Sequence, residues 1–189
     1  ALARENWRVR MVHEHASAAV FSGLLPQLMA AGAPLDVKTT MTRCAIDELR
    51  HAGLCGQVVA FLGGEPEAPA ELAVELLPEH TDCTLRVSAL RNALFASLCE
   101  TVSVSLLTAE REEVREPFLD RVLRQPSGDE VLHARVGWLY LGWSWPRLSA
   151  RERDELRAYL PTAIRHLRRE MLGAMPLGER PPEAIMDQA

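Results

Sequence analysis

The chain has 189 residues, 48% of them hydrophobic and 25% charged, with a net charge of -5 and a pI near 5.7. That length buries one good-sized core and leaves little for a second domain. The acidic balance gives no electrostatic case for nucleic acid or an anionic membrane surface as partner.

Ala, Leu, Arg and Glu dominate while aromatics make up only 5%, a mix that favours helix over strand and predicts an all-α fold. No uninterrupted apolar run approaches the roughly 18 residues of a membrane span. The N-terminal ALARENWRVR also lacks the apolar centre of a signal peptide. A soluble, cytoplasmic protein of bacterial type is expected. Cys44, Cys55, Cys83 and Cys99 lie far apart with no CxxC, so they form neither a zinc ribbon nor a rubredoxin-type site. They read as small buried thiols in a reducing compartment.

In chain order, the first predicted helix covers about residues 3–31, with Pro26 expected to kink it or end it early. The second runs from about Leu35 to Leu62 and stops at Gly63-Gly64. The 19-residue segment EPEAPAELAVELLPEHTDC, with three prolines, then reads as a long crossing connection. A third helix, about Thr84 to Arg115, ends in the charged run EREEVRE. A fourth follows Pro117 to about Trp145, and Gln125-Pro126-Ser127-Gly128 should break or kink it. Ser149 and Glu152 form a capping box for a fifth helix, about Ala150 to Gly173, whose Arg151–Arg169 stretch reads as a solvated face. The tail beyond it, 174–189, reads as irregular, and the whole chain 1–189 as one domain with its bundle over about 3–145.

The chemistry concentrates in two strings of one form, DELRH (Asp47 to His51) and DEVLH (Asp129 to His133). Residues three apart on a helix share a face, so each Glu and His can grip one metal ion from one side. With 19 Glu, 6 His and 7 Asp in the chain, about 0.6 ExxH strings arise by chance, but only about 0.02 with Asp in front. Two are therefore a signal. The other two long helices each carry one Glu at mid-length among apolar or small residues: Glu14 in HEHASAAVF and Glu100 in FASLCETVSVSLL. A carboxylate on an apolar face is costly unless paired or metal-bound.

At a rise of about 1.5 Å per residue, Glu14 lies about 25 Å from the end of its helix and Glu48 about 20 Å from the start of the next. Glu100 and Glu130 match similarly about Pro117, so all four carboxylates fall near mid-bundle. The connection extends about 60 Å, enough to return along a bundle of about 45 Å and set helices two and three parallel.

Over roughly residues 5–145 the chain thus resembles the ferritin-like di-iron carboxylate superfamily, in its oxidase and oxygenase branch, on Glu14, DELRH, Glu100 in CETVSVSLL and DEVLHARVGW. The resemblance implies an up-down-down-up four-helix bundle with one crossover and an added C-terminal helix. It also implies two iron ions, with Mn/Fe as the other pairing. Glu14, Glu48 and His51 would hold one ion and Glu100, Glu130 and His133 the other, with Glu48, Glu130 or both bridging. Asp47 and Asp129 either orient the ligand histidine on the opposing helix or are ordinary surface acids. Arg50 matches the DExRH form, whereas the second box has Leu132 there, so the charge network should be asymmetric.

The function implied is O2 activation by an oxidase or oxygenase acting on a small organic substrate with an external electron donor. The alternatives are a ferroxidase or storage protein, or a structural bundle with weakened metal binding; a homodimer is the assembly it admits. Positions one turn from the ligands that would line a modest dry pocket are Ser17, Ala18, Phe21, Ala96, Ser97, Val104, Leu107, Gly137 and Tyr140, all equally suited to a core. Cys55 stands where ribonucleotide reductase small subunits carry their radical tyrosine. Leu49 stands where bacterioferritin carries its haem methionine, so no haem is expected. The domain of rubrerythrin that binds iron through cysteines is missing, and most other ferritins lack the second ExxH. His13 and His15 point about 100° to either side of Glu14 and should not share its metal. Trp138, Trp143 and Trp145 read as packing residues near the bundle end. Tyr140, two turns from His133, is either a packing residue or an electron relay.

Overall fold

The computed structural model describes residues 2–67 and 76–174. Among these the chain is all-helical: α1 (Leu2–Ala30), α2 (Leu35–Phe61), α3 (Leu85–Glu113), α4 (Pro117–Ser144), a short 3-10 turn (Trp145–Arg147) and α5 (Ala150–Ala174). Most of the expected stops are set by local chemistry. Gly63 takes a φ of 73° just past α2, where a Cβ would be strained. The amides of Gly63 and Gly64 close onto the Ala60 and Val59 carbonyls. Pro117 opens α4 behind Glu116, whose carboxylate accepts from the Leu119 amide at 2.7 Å. The Ser149–Glu152 capping box is present, and Glu152 also accepts from Thr84 at 2.9 Å, tying the start of α5 to the start of α3.

Neither α1 nor α4 is broken at its internal proline. α1 continues through Pro26 to Ala30, and α4 runs unbroken through Gln125-Pro126-Ser127-Gly128. At the second place Pro126 is buried, so packing of its ring offsets the ladder bond it removes. The Ser127 hydroxyl donates to the Leu123 carbonyl at 2.6 Å. Glu130 therefore sits on a regular helical turn. The expected crossing connection lies partly outside the described residues, at 68–75.

α1 packs on α2 and α3, and α4 on α2 and α3. Arg10 of α1 pairs with Glu110 near the end of α3, and Gln27 near the end of α1 meets Asn92 near the start of α3, so these helices run antiparallel. Phe61 at the end of α2 stacks on Phe118 at the start of α4, giving the same relation there. Each end of the connection is thus at an opposite end of the bundle. The described stretch 76–84 is stitched down by Gln27 to the Leu77 carbonyl (2.8 Å), Asn92 to the Pro78 carbonyl (2.8 Å) and Ser88 to the His80 amide (2.8 Å). His80 also meets Asn92 side chain to side chain and the edge of Tyr159 on α5.

One apolar cluster fills the half of the bundle built from Phe21, Leu24 and Leu28 of α1, Met41 and Cys44 of α2, Leu90 and Leu94 of α3, and Val136 and Tyr140 of α4. Each fully buried leucine there contributes about 1.5–3 kcal/mol. A smaller set, with Met11, Cys55, Val58, Leu107 and Leu123, fills the other half. α3 is long and apolar enough to cross a membrane by length and composition alone. Its apolar side here is a bundle interior, which also holds Arg91, Asn92 and Glu100 buried.

Candidate metal centre

Between the two apolar halves lie six buried or nearly buried polar residues, all supplied by the mid-length turns of α1 to α4. Ligand atoms of Glu14, Glu48, His51 and Glu130 fall within 4.8 Å of one another, and so do those of Glu48, Glu100, Glu130 and His133. Glu48 and Glu130 belong to both groups. The geometry therefore brings together every ligand candidate named from the sequence and places both carboxylates, rather than one, between the two halves.

The imidazoles are oriented alike. Nδ1 of His51 faces Glu130 (3.3 Å), Glu14 (3.7 Å) and Glu48 (3.8 Å), while its Nε2 faces Asp129 Oδ2 at 3.2 Å. Nδ1 of His133 faces Glu48 (2.8 Å) and Glu130 (3.0 Å), while its Nε2 faces Asp47 at 3.5 Å. Each box thus supplies the aspartate behind the histidine of the other, as a buried carboxylate fixing a ligand imidazole does. Arg50 donates to both Asp47 (2.6 Å) and Asp129 (2.9 Å), and Arg43 reaches Asp47 at 3.4 Å. The arginine missing at Leu132 is replaced by one guanidinium spanning both boxes. Arg43 escaped the sequence reading, although it stands one helical turn before Asp47.

Close approach of α3 to α4 also positions His133. Ser97 donates to the His133 carbonyl (3.1 Å) and accepts from the Gly137 amide (2.9 Å). A Cβ at Gly137 would lie 2.3 Å from the Ala93 carbonyl oxygen. Only glycine lets the two backbones meet there.

All six ligand candidates titrate away from their ordinary values. Burial raises Glu14 to about 7, with His51 offsetting only part of this. Burial, with Glu130 and Glu48 close by, lifts Glu100 well above the usual carboxylate range. Burial opposes the charge on His51 too, yet Glu130, Glu14 and Glu48 drive it up to about 12; burial opposes the charge on His133 as well, and Cys44, Glu130 and Glu48 raise it. Glu130 falls to about 2 and Glu48 is lowered, because the imidazoles outweigh their burial. Glu48 Oε1, Glu130 Oε2, Nδ1 of His51 and both ring nitrogens of His133 are buried without a hydrogen bond among the described residues. Four carboxylates and two neutral imidazoles would balance two divalent cations of the Fe(II) or Mn(II) kind. The donor set fits such a pair.

The centre is one-sided. Its histidines, aspartates and arginines close the α2–α4 face, whereas cavities open between α1 and α3. One, of about 350 Å³, is lined by Asn6, Val9, Arg10, His13, Glu14, Ser17, Glu48, Cys99, Glu100, Ser103, Leu106, Leu107 and Glu130. Another, of about 250 Å³, is lined by Ser17, Val20, Phe21, Leu77, Phe95, Ala96, Cys99 and Glu100. They meet at Ser17, Cys99 and Glu100.

No known protein family, curated protein or solved structure matches this chain.

Of the pocket positions read from the sequence, Ser17, Phe21, Ala96 and Leu107 line these cavities. Ala18, Ser97, Val104, Gly137 and Tyr140 do not: Ala18 and Tyr140 are core, Ser97 and Gly137 join α3 to α4, and Val104 lies outside both linings. The larger cavity is polar, not dry, because α1 turns Asn6, Arg10 and His13 into it. Tyr140 stacks on Trp143 inside the core. Trp143 and Trp145 pack against that core under arginines, but Trp138 is exposed.

Proposed function

We propose that the chain is a ferritin-like, non-haem di-iron protein that activates O2 as an oxidase or oxygenase of a small organic substrate. The observation that carries this reading is the pair of overlapping ligand groups sharing Glu48 and Glu130, whose inward atoms are buried yet unbonded. The antiparallel pairs α1–α2, α1–α3, α2–α4 and α3–α4, with a connection spanning the bundle, suit the up-down-down-up arrangement. Glu14, Glu48, His51 and Glu130 would hold one iron, and Glu48, Glu100, Glu130 and His133 the other. Bound ferrous ions would supply electrons for O2 reduction.

What the chain itself does follows from its charges. Asp129 holds Nε2 of His51 and Asp47 stands behind Nε2 of His133, so that both Nδ1 atoms point inward, and Arg50 holds both aspartates. Glu14 and Glu100, one on each of the helices flanking the cavities, meet anything that enters from that side. The apolar pocket favours an organic substrate; the polar cavity favours the alternative of a ferroxidase, since it gives ions a lined path to the same carboxylates. The regular turn at Glu130 argues against a bundle with weakened metal binding.

Anaerobic loading with Fe(II), then exposure to O2 with metal content and particle size followed, tests the reading. About two irons per chain in a small oligomer that consumes O2 supports it. Hundreds of irons per chain in a large shell supports storage, and no iron or manganese above background removes both.

A further inference from the structure

The smaller cavity has a chemistry of its own. Its walls are Val20 and Phe21 of α1, Phe95 and Ala96 of α3, and Leu77 from the connection, and only its inner end is polar, at Ser17, Cys99 and Glu100. Among the described residues no basic side chain lines it; Arg10 and His13 both belong to the neighbouring polar cavity. A closed apolar site of about 150 Å³ holds a benzene ring, so about 250 Å³ holds one six-membered ring with a few further heavy atoms. The Leu77 wall is fixed in place, because Gln27 donates to its carbonyl and Asn92 to that of Pro78. The ring of His166 on α5 lies against Phe95.

We propose that this pocket seats an uncharged, compact organic substrate of about one ring, its reacting or polar end directed past Ser17 to Glu100. In the metal-free chain an anion of the same size is rejected, since its charge would be buried among apolar walls with no cation to pair it. Leu77 and Ala96 set the size limit: one is a wall carried by the connection and the other a small side chain that leaves the space. This inference rests on the di-iron reading for what happens at the Glu100 end, though the pocket itself does not need metal to form.

The probes are cyclohexanol and cyclohexanecarboxylate, with binding followed by proton relaxation in the full chain, metal-free and loaded with Mn(II). Cyclohexanol is expected to bind saturably, with its protons relaxed strongly only when Mn(II) is present, and in the metal-free chain at least 10-fold more tightly than the carboxylate. Ala96→Phe fills the space and should weaken it at least 10-fold while Mn(II) content stays the same. Val20→Phe gives the same result from the opposite wall should Ala96→Phe not fold. Leu106→Phe, in the polar cavity, should leave it unchanged. Equal binding of the anion in the metal-free chain, binding that survives both filling variants, or binding without relaxation by Mn(II) would overturn the proposal. Two Mn(II) per chain with no cyclohexanol binding sinks the pocket alone and leaves the metal centre standing. Cyclohexanol binding that Ala96→Phe removes, in a chain that takes up no Mn(II), sinks the metal reading and with it the pocket's role.

Discussion

Replacing Gly137 by alanine puts the tightest helix contact of the centre to the test. The new Cβ would lie 2.3 Å from the Ala93 oxygen, 2.6 Å from its carbon and 2.8 Å from Ser97 Oγ, where ordinary contact begins at 3.4 Å. Two of these atoms are backbone, so α4 must draw back from α3 by about 1 Å. Alanine recovers about 1 kcal/mol of helix propensity, but overpacking against backbone falls in the upper part of the usual range, about 2–3 kcal/mol, leaving a net loss of about 1–2 kcal/mol. Gly128 on the same helix is the control, because a Cβ there meets nothing within 4 Å, and Gly128→Ala should gain about 0.5–1 kcal/mol. At about 2–4 °C per kcal/mol for a chain of this size, the two variants should differ in metal-free Tm by roughly 3–12 °C, read by circular dichroism. His133 stands one turn before Gly137, and metal–ligand distances tolerate only about 0.2 Å. Gly137→Ala should therefore also weaken Mn(II) binding more than 10-fold, while Gly128→Ala leaves it unchanged. Equal Tm and equal Mn(II) affinity in the two variants would refute the argument that this glycine sets the helix spacing.

Because Glu48 and Glu130 belong to both ligand groups, Glu48→Ala and Glu130→Ala should each lose both metals. Glu14→Ala and Glu100→Ala should each retain about one per chain by elemental analysis; retention of one metal in all four variants contradicts shared carboxylates. Asp129→Asn, which leaves an amide facing His51 Nε2, should weaken metal binding by about 10–100-fold with helical content intact; an unchanged affinity removes its orienting role. Glu14, near 7 when folded against 4.5, and His51, near 12 against 6.5, bind protons more tightly folded than unfolded. The metal-free chain should lose their stabilisation as pH rises, from 4.5 to about 7 for Glu14 and from 6.5 toward about 12 for His51. Glu130, near 2 when folded against 4.5, works in reverse, and its contribution fades as pH falls through that range. Metal must displace the Glu14 and His51 protons, so the Tm gap between Mn(II)-loaded and metal-free protein should widen between about pH 6 and about pH 8; a constant gap counts against proton competition. Glu152→Ala breaks the capping box and the Thr84 link and should cost about 0.5–2 kcal/mol without altering metal content.

The helices and the six ligand candidates were legible because each depends on spacing that an α-helix converts directly into direction. Glu48 and His51 share a face whatever surrounds them, and so do Glu130 and His133. Pro126 misled because the rule that proline breaks a helix is local, while burial of its ring and the Ser127 bond to Leu123 are not. The pocket was legible only in part for a similar reason. Periodicity tells which residues point inward, but not where two inward faces part. Ala18 and Ser17 are neighbours in sequence, yet one is packed solid and the other lines both cavities. Leu77 belongs to the connection, where no period exists to read. The crossed Asp–His pairs were legible as a kind of arrangement, but Arg50 serving both boxes needed the distance between α2 and α4.

That crossing has a consequence for how the protein matures. The hairpin α1–α2 carries Glu14, Glu48 and His51 but owns neither Asp129 nor Glu130, and α3–α4 lacks Asp47 and Glu48 in the same way. Neither half, freshly made, offers a closed cage to a passing cation. Only docking of the two hairpins brings each histidine to the aspartate behind it and the shared carboxylates together, so on the proposed di-metal reading assembly of the halves and capture of metal would be one event.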